Sequence, residues 1–166
     1  MRRRAKGQDL RVKTVKIVNL NRRYELNCAA IKKIVSHVLR YIKKIGAAEL
    51  EIVFLDNRAI SSLNKKYKNR PRPTDVLSFR IERLEFGYRL FFGEIFISVD
   101  RAAENSIVFG TDVAEEVTLY VIHGVLHLFG YDDETTSDKA RMSRKESSIL
   151  KFIRKKEDLS KVLMPR

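Results

Sequence analysis

The segment from Val113 to Phe129 is the most apolar stretch of the chain, yet Glu115, Glu116, His123 and His127 interrupt it. Ionisable groups at that density exclude a membrane span, and no other stretch reads as one. The segment is instead expected to be a central buried helix. Asp112 is its expected N-cap, and Glu115 three residues later gives a capping-box-like pattern. The helix should run to about Leu128 or Phe129, with Gly130 as its stop.

The rest of the chain supplies partners for such a helix. Residues 13–19 alternate polar and apolar, as a half-buried strand does. From Ala29 to Ile45 the apolar residues Ile31, Ile34, Val35, Val38, Leu39 and Ile42 recur at helical spacing, and Gly46 ends the run. Residues 48–55 read as a strand, and Asp56 or Asn57 caps a short helix through Tyr67. Lys65 to Pro73 is expected to be a loop, because Pro71 and Pro73 push their predecessors to extended backbone. Val76–Ile81 and Gly93–Val99 read as strands, with Phe86, Tyr88, Phe91 and Phe92 marking a hairpin between them. Ala102–Phe109 and Glu134–Lys156 complete the helices. The order β-α-β-α-β-β-α-α-α implies an α/β (α+β) fold: a single compact domain with a mixed central sheet of about four strands and helices packed on it.

A chain of 166 residues, 44% hydrophobic and 33% charged, suits one globular domain rather than a disordered polymer. There is no repeat, low-complexity tract or Pro/Gly/Ser-rich linker. The expected organisation is a basic N-terminal extension over residues 1–12, one domain over 13–156 and a C-terminal tail over 157–166. Cys28 is the only cysteine, so no internal disulfide can form, which fits a reducing cytoplasm. The start, MRRRAKGQDLRVK, lacks the apolar stretch of a secretory signal. Its Asp9 and its lack of serine also argue against an organellar transit peptide.

The net charge of +13 is unevenly placed. Residues 1–23 carry +8 and residues 141–166 carry +6, whereas the middle carries −1. Basic ends attract polyanions such as nucleic acid or anionic membrane, although a charge run is as often a solvated face.

His123 and His127 lie four residues apart, just over one helical turn, so both imidazoles project from the same face. Paired histidines bind zinc on a helix in this geometry. The chain then turns at Gly130, and Asp133, six residues past His127, is placed to supply a third ligand. Three protein ligands with an open fourth position form the pattern of a catalytic metal rather than a closed structural one. A helical histidine pair is often only a polar stripe, but two of the chain's three histidines make this pair inside its most apolar helix. His37 has no such company and is assigned to surface or core. Gly124 costs about 1 kcal/mol relative to alanine in a helix interior, so it needs a packing or functional reason. It also stands where the H-E-x-x-H proteases carry their general base, which disfavours that chemistry.

The stretch HGVLHLFGYDD, His123 to Asp133, resembles the H-G-x-L-H-L-x-G-Y-D-H signature of the YbeY family of rRNA-maturation endoribonucleases. Leu63-Asn64 with Tyr67, and Pro73 to Phe79, are similar to its L-N-x-x-Y-R and P-T-D-V-L-S-F blocks. Gly93 to Ser98 is similar to its G-D-I-x-I-S strand. The resemblance implies a small α/β domain with one Zn²⁺, or another divalent transition metal, in a cleft. It implies a cytoplasmic, single-strand-specific endoribonuclease acting on rRNA precursor at the small-subunit 3′ end, in ribosome maturation and quality control. RNA and the ribosome or its small subunit are the expected partners, with no membrane.

The residues depart from the family pattern at two positions. Asp133 stands where relatives usually place a third zinc-binding histidine. Lys68 stands at the position of an arginine implicated in activity, keeping the charge but losing the bidentate fork. The expected site is therefore His123, His127 and Asp133 for metal and Lys68 for catalysis. Lys65, Lys66, Arg70 and Arg72 are expected to grip phosphates, since these four with Lys68 put five cations in eight residues. Tyr131 and Asp132 are expected to shape the turn and support the ligands. An alternative from another class is a ribosome-associated assembly factor with a structural metal and little or no nuclease activity. A metal-dependent hydrolase of another substrate is disfavoured by the basic stretch.

Overall fold

The computed structural model describes residues 14–43, 48–85 and 88–164. Its elements follow the expected order: β1 (Thr14–Asn19), α1 (Cys28–Tyr41), β2 (Ala48–Leu55), α2 (Asn57–Lys68), β3 (Val76–Glu85), β4 (Tyr88–Ser98), α3 (Val99–Phe109), α4 (Val113–Leu128) and α5 (Thr136–Arg154). A 3-10 turn spans Leu159–Val162. The four strands form one mixed sheet in the order β1-β2-β4-β3. β1, β2 and β4 run parallel, and β3 pairs antiparallel with β4. This is the α+β arrangement that the element order implied.

Alternation along the strands sorts side chains into two cores. Leu50, Ile52 and Phe54 of β2, with Ile95 and Ile97 of β4, face one side, where Ile31, Ile34, Val35 and Val38 of α1 and Val117, Val121, Ile122 and Val125 of α4 cover them. Val53 and Leu55 face the other side and pack with Leu77 of β3 and Ile60 of α2. Each fully buried Leu, Ile or Phe contributes about 1.5–3 kcal/mol relative to its exposed state. The larger core therefore carries most of the stability, and α4 is its central helix.

Several boundaries differ from expectation for local reasons. The short helix expected through Tyr67 runs to Lys68, so the loop begins after Lys68 rather than at Lys65, because Pro71 and Pro73 restrain only Arg70 and Arg72. Asn69 stops the helix instead, in a left-handed conformation with φ 54°. The strand expected through Val99 ends at Ser98, whose hydroxyl accepts the Arg101 N–H and caps α3. α1 ends at Tyr41 with Ile42 as C-cap; Gly46, its expected stop, lies outside the described residues, as do Phe86 and the extension 1–12. Asp112 is the N-cap of α4 but makes no side-chain cap bond, so the capping box with Glu115 is not formed. Thr111 donates to the buried Glu116 at 2.6 Å instead.

Gly124 has the packing reason its position required. A Cβ there would lie 2.5 Å from Ile95 Cγ2 and 3.3 Å from Val76 Cγ1, so its absence lets α4 lie directly on the sheet. Ser78 of β3 donates to the Gly124 carbonyl at 3.2 Å, and the Arg80 guanidinium donates to the Leu128 carbonyl at 2.8 Å. Edge strand β3 thus follows the helix that carries the histidines. Among the described residues, no helix is long and apolar enough to cross a membrane.

Candidate metal centre and adjoining cleft

α4 ends in a Schellman turn. Gly130, at φ 87°, occupies the left-handed position that favours glycine, and its N–H bonds the His127 carbonyl at 3.0 Å. The Tyr131 N–H reaches the Leu126 carbonyl at 3.1 Å. This reversal folds the chain back along the helix, and the Asp132 carboxylate accepts the Asp133 N–H at 2.7 Å. Asp133 is thereby brought against the two imidazoles.

The three expected ligands converge. His123 Nε2 and His127 Nε2 are 3.0 Å apart. Asp133 Oδ1 lies 3.7 Å from His127 Nε2, and Oδ2 lies 3.9 Å from His123 Nε2. Metal–ligand bonds of about 2.0–2.2 Å at tetrahedral angles place ligand atoms roughly 3.3–3.6 Å apart. The observed separations bracket that range, so the donor set fits a divalent transition metal, and all three residues stay partly accessible. Desolvation, then the neighbouring His123, lowers the pKa of His127; Asp133, Asp132 and the Tyr131 backbone oppose the shift only in part. A neutral imidazole is the form that ligates a metal.

The sequence pattern does not single out Glu146. Its carboxylate comes from α5, 2.5 Å from His123 Nδ1. The available signal was its spacing to Met142, Ile149 and Ile153, the buried residues of that helix.

A second feature adjoins the start of β3. Lys68, Arg70, Arg72, Thr74, Asp75 and Arg101 line a cleft of about 460 Å³, together with Asn64 and Pro73. Asn64 is buried and donates to the Arg72 carbonyl at 2.8 Å, which holds the loop in shape. Among the described residues, no carboxylate pairs with Lys68, Arg70 or Arg72. Arg101, which the sequence pattern also does not reveal, is bound by Asp75 at 3.1 Å and Glu104 at 2.8 Å. The Asp75 hydrogen bond is the largest influence raising its pKa. Asp75 directly precedes Val76, which packs beside Gly124 between the two histidines. On the same side, the Tyr120 hydroxyl accepts from Asn105 at 2.7 Å, one turn before His123. Burial and the charges of Asp75 and Glu116 push its pKa up. The cleft connects to the histidine helix through Asp75 and the following Val76, whose side chain meets α4 at Gly124.

Lys65 and Lys66 are exposed on α2 but do not line this cleft. Lys66 instead sits 4.9 Å from the ring centre of Tyr67. His37 takes a structural place, with Nε2 2.9 Å from Glu157.

Comparisons with known proteins agree with this architecture. The family model described as endoribonuclease YbeY matches residues 16–154. A Thermoanaerobacter protein named endoribonuclease YbeY is 33% identical over 132 residues, covering 72% of this chain and 83% of that one. One of the same name from Clostridium botulinum is 35% identical over 140 residues, covering 73% and 84%. Another, from Nautilia profundicola, is 41% identical over 103 residues, covering 62% and 70%. The solution structure of TM1509 from Thermotoga maritima shares the fold, with a TM-score of 0.55 at 23% identity over 85% of this chain and 92% of that one. The chain therefore belongs to the YbeY family of endoribonucleases, hydrolases that act on RNA.

Proposed function

We propose that the chain cleaves single-stranded RNA at a Zn²⁺ site formed by His123, His127 and Asp133, acting on rRNA precursor during small-subunit 3′ end maturation and ribosome quality control in the cytoplasm. The observation that carries this reading is the convergence of His123, His127 and Asp133, and the cations Lys68, Arg70 and Arg72 that line a cleft at the start of β3 support it. A bound divalent ion would supply Lewis acidity toward a phosphoryl oxygen. The chain's own residues do the positioning. Lys68, Arg70 and Arg72 hold the phosphate backbone, while Asp75 and Glu104 fix Arg101 in the cleft wall. The exposed Lys65 and Lys66, with the basic residues of 1–12 and of the C-terminal part, extend the attraction for RNA beyond the cleft.

Lys68 in place of the family's arginine favours a second reading, a ribosome-bound assembly factor whose metal is structural. One experiment separates the two. Metal-loaded protein and its His123→Ala variant are incubated with rRNA and with matched single- and double-stranded oligonucleotides. Cleavage of single strands by the wild type alone supports the endoribonuclease. Tight rRNA binding without cleavage supports the assembly factor, and equal cleavage by both proteins exposes a contaminant.

A further inference from the structure

We propose that Glu146 is a positioning residue that sets the tautomer of His123. The inference rests on the reading of His123, His127 and Asp133 as metal ligands. It begins with a misplaced charge. On α5 the buried residues Met142, Ile149 and Ile153 form the stripe that faces the core. Glu146 falls on that stripe, four residues after Met142 and three before Ile149, where helical spacing calls for an aliphatic side chain. Its side chain is only 16% exposed. A carboxylate withdrawn from water is costly unless it is paired. Among the described residues no lysine or arginine pairs with it, and its partner is His123 Nδ1 at 2.5 Å.

That contact decides where the proton of His123 sits. A carboxylate only accepts, so Nδ1 must be the ring nitrogen that carries the hydrogen. A neutral imidazole has one N–H, which leaves Nε2 with its lone pair free. Nε2 is the atom that faces His127 and Asp133. Without Glu146, Nδ1–H has no acceptor, and the ring is free to turn or to move its proton to Nε2, which would block the ligand position. Glu146 touches neither substrate nor metal in this role, and it acts through the histidine.

The test reads the proton directly. In metal-free protein with ¹⁵N-labelled histidine, long-range proton–nitrogen correlations report the tautomer of each ring. The wild type is expected to show His123 as the Nδ1–H form. Glu146→Gln keeps an accepting oxygen and should keep that form, whereas Glu146→Ala should shift it toward Nε2–H. Zinc affinity, measured by competition with a chromophoric chelator, should fall about 10–100-fold in Glu146→Ala and less in Glu146→Gln. Wild-type His123 found as the Nε2–H tautomer overturns the proposal, with no variant needed. Equal zinc affinity in wild type and Glu146→Ala also overturns it, while leaving the metal site standing. Wild type that takes up no zinc overturns the metal reading, and this role with it.

Discussion

Gly124 and Ile95 meet where α4 crosses the sheet, and a methyl group on the glycine would lie 2.5 Å from Ile95 Cγ2. Ile95 is fully buried, so making room for that methyl group means shifting a side chain inside the packed core. Overpacking of this kind costs about 1–3 kcal/mol, and the better helix propensity of alanine returns about 1. Gly124→Ala is therefore expected to lose about 1 kcal/mol of stability in urea unfolding. It should also weaken metal binding, because the flanking histidines move with the helix. An unchanged or raised urea midpoint would show that Ile95 yields without cost.

Asp133 is the candidate ligand that departs from the family's usual histidine. Asp133→Ala should lower zinc affinity more than the roughly 10–100-fold that loss of an outer hydrogen-bond partner costs. Asp133→His should retain zinc. Metal content after gel filtration against a weak chelator measures both. A stoichiometric ion in Asp133→Ala would remove this carboxylate from the ligand set.

The cleft predicts a salt effect. Each phosphate contact on a single strand contributes about 0.7 to the slope of log affinity against log salt. Lys68→Ala should make that slope shallower by about this amount for a single-stranded oligonucleotide. Lys68→Arg should preserve it and raise the cleavage rate, because the guanidinium grips a phosphate with two donors. A Lys68→Ala protein with the parental slope would place the RNA elsewhere.

Burial lowers the pKa of His127, so the folded, metal-free chain prefers the neutral imidazole. Below the ordinary histidine value of about 6.5 the unfolded chain takes up a proton that the folded chain resists. Stability should be at its full value above that pH and decline as pH falls toward the lowered folded value. Thermal unfolding of metal-free wild type across this range, compared with His127→Asn, should show a smaller acid loss in the variant. Identical acid profiles would mean that the ring titrates as it does in water.

Much of this was legible in the sequence because it depends on local spacing. The order of strands and helices follows from apolar periodicity. His123 and His127 share a face because one helical turn separates them, and Gly130 marks the reversal because few other residues accept its backbone angle. What depends on long-range packing was not legible. Glu146 sits 23 positions from His123, and nothing near either residue announces that α5 lies beside α4. Arg101 reaches the cleft from α3 only because the sheet brings Asp75 to it. The boundary between the helix expected through Tyr67 and the loop expected from Lys65 was blurred by two prolines whose restraint extends only one residue back.

The bridge between Leu26 and Leu163, with the Val162 carbonyl accepting the Asn27 N–H, joins two distant parts of the chain. The turn that forms it also packs against α4. Closing so long a loop is entropically costly before the intervening elements have settled, so this clasp belongs late in folding. During synthesis the whole stretch from His123 to Asp133 exists before residue 163 does. A nascent chain therefore carries all three candidate metal ligands while one wall of the helix that bears the two histidines is still uncovered.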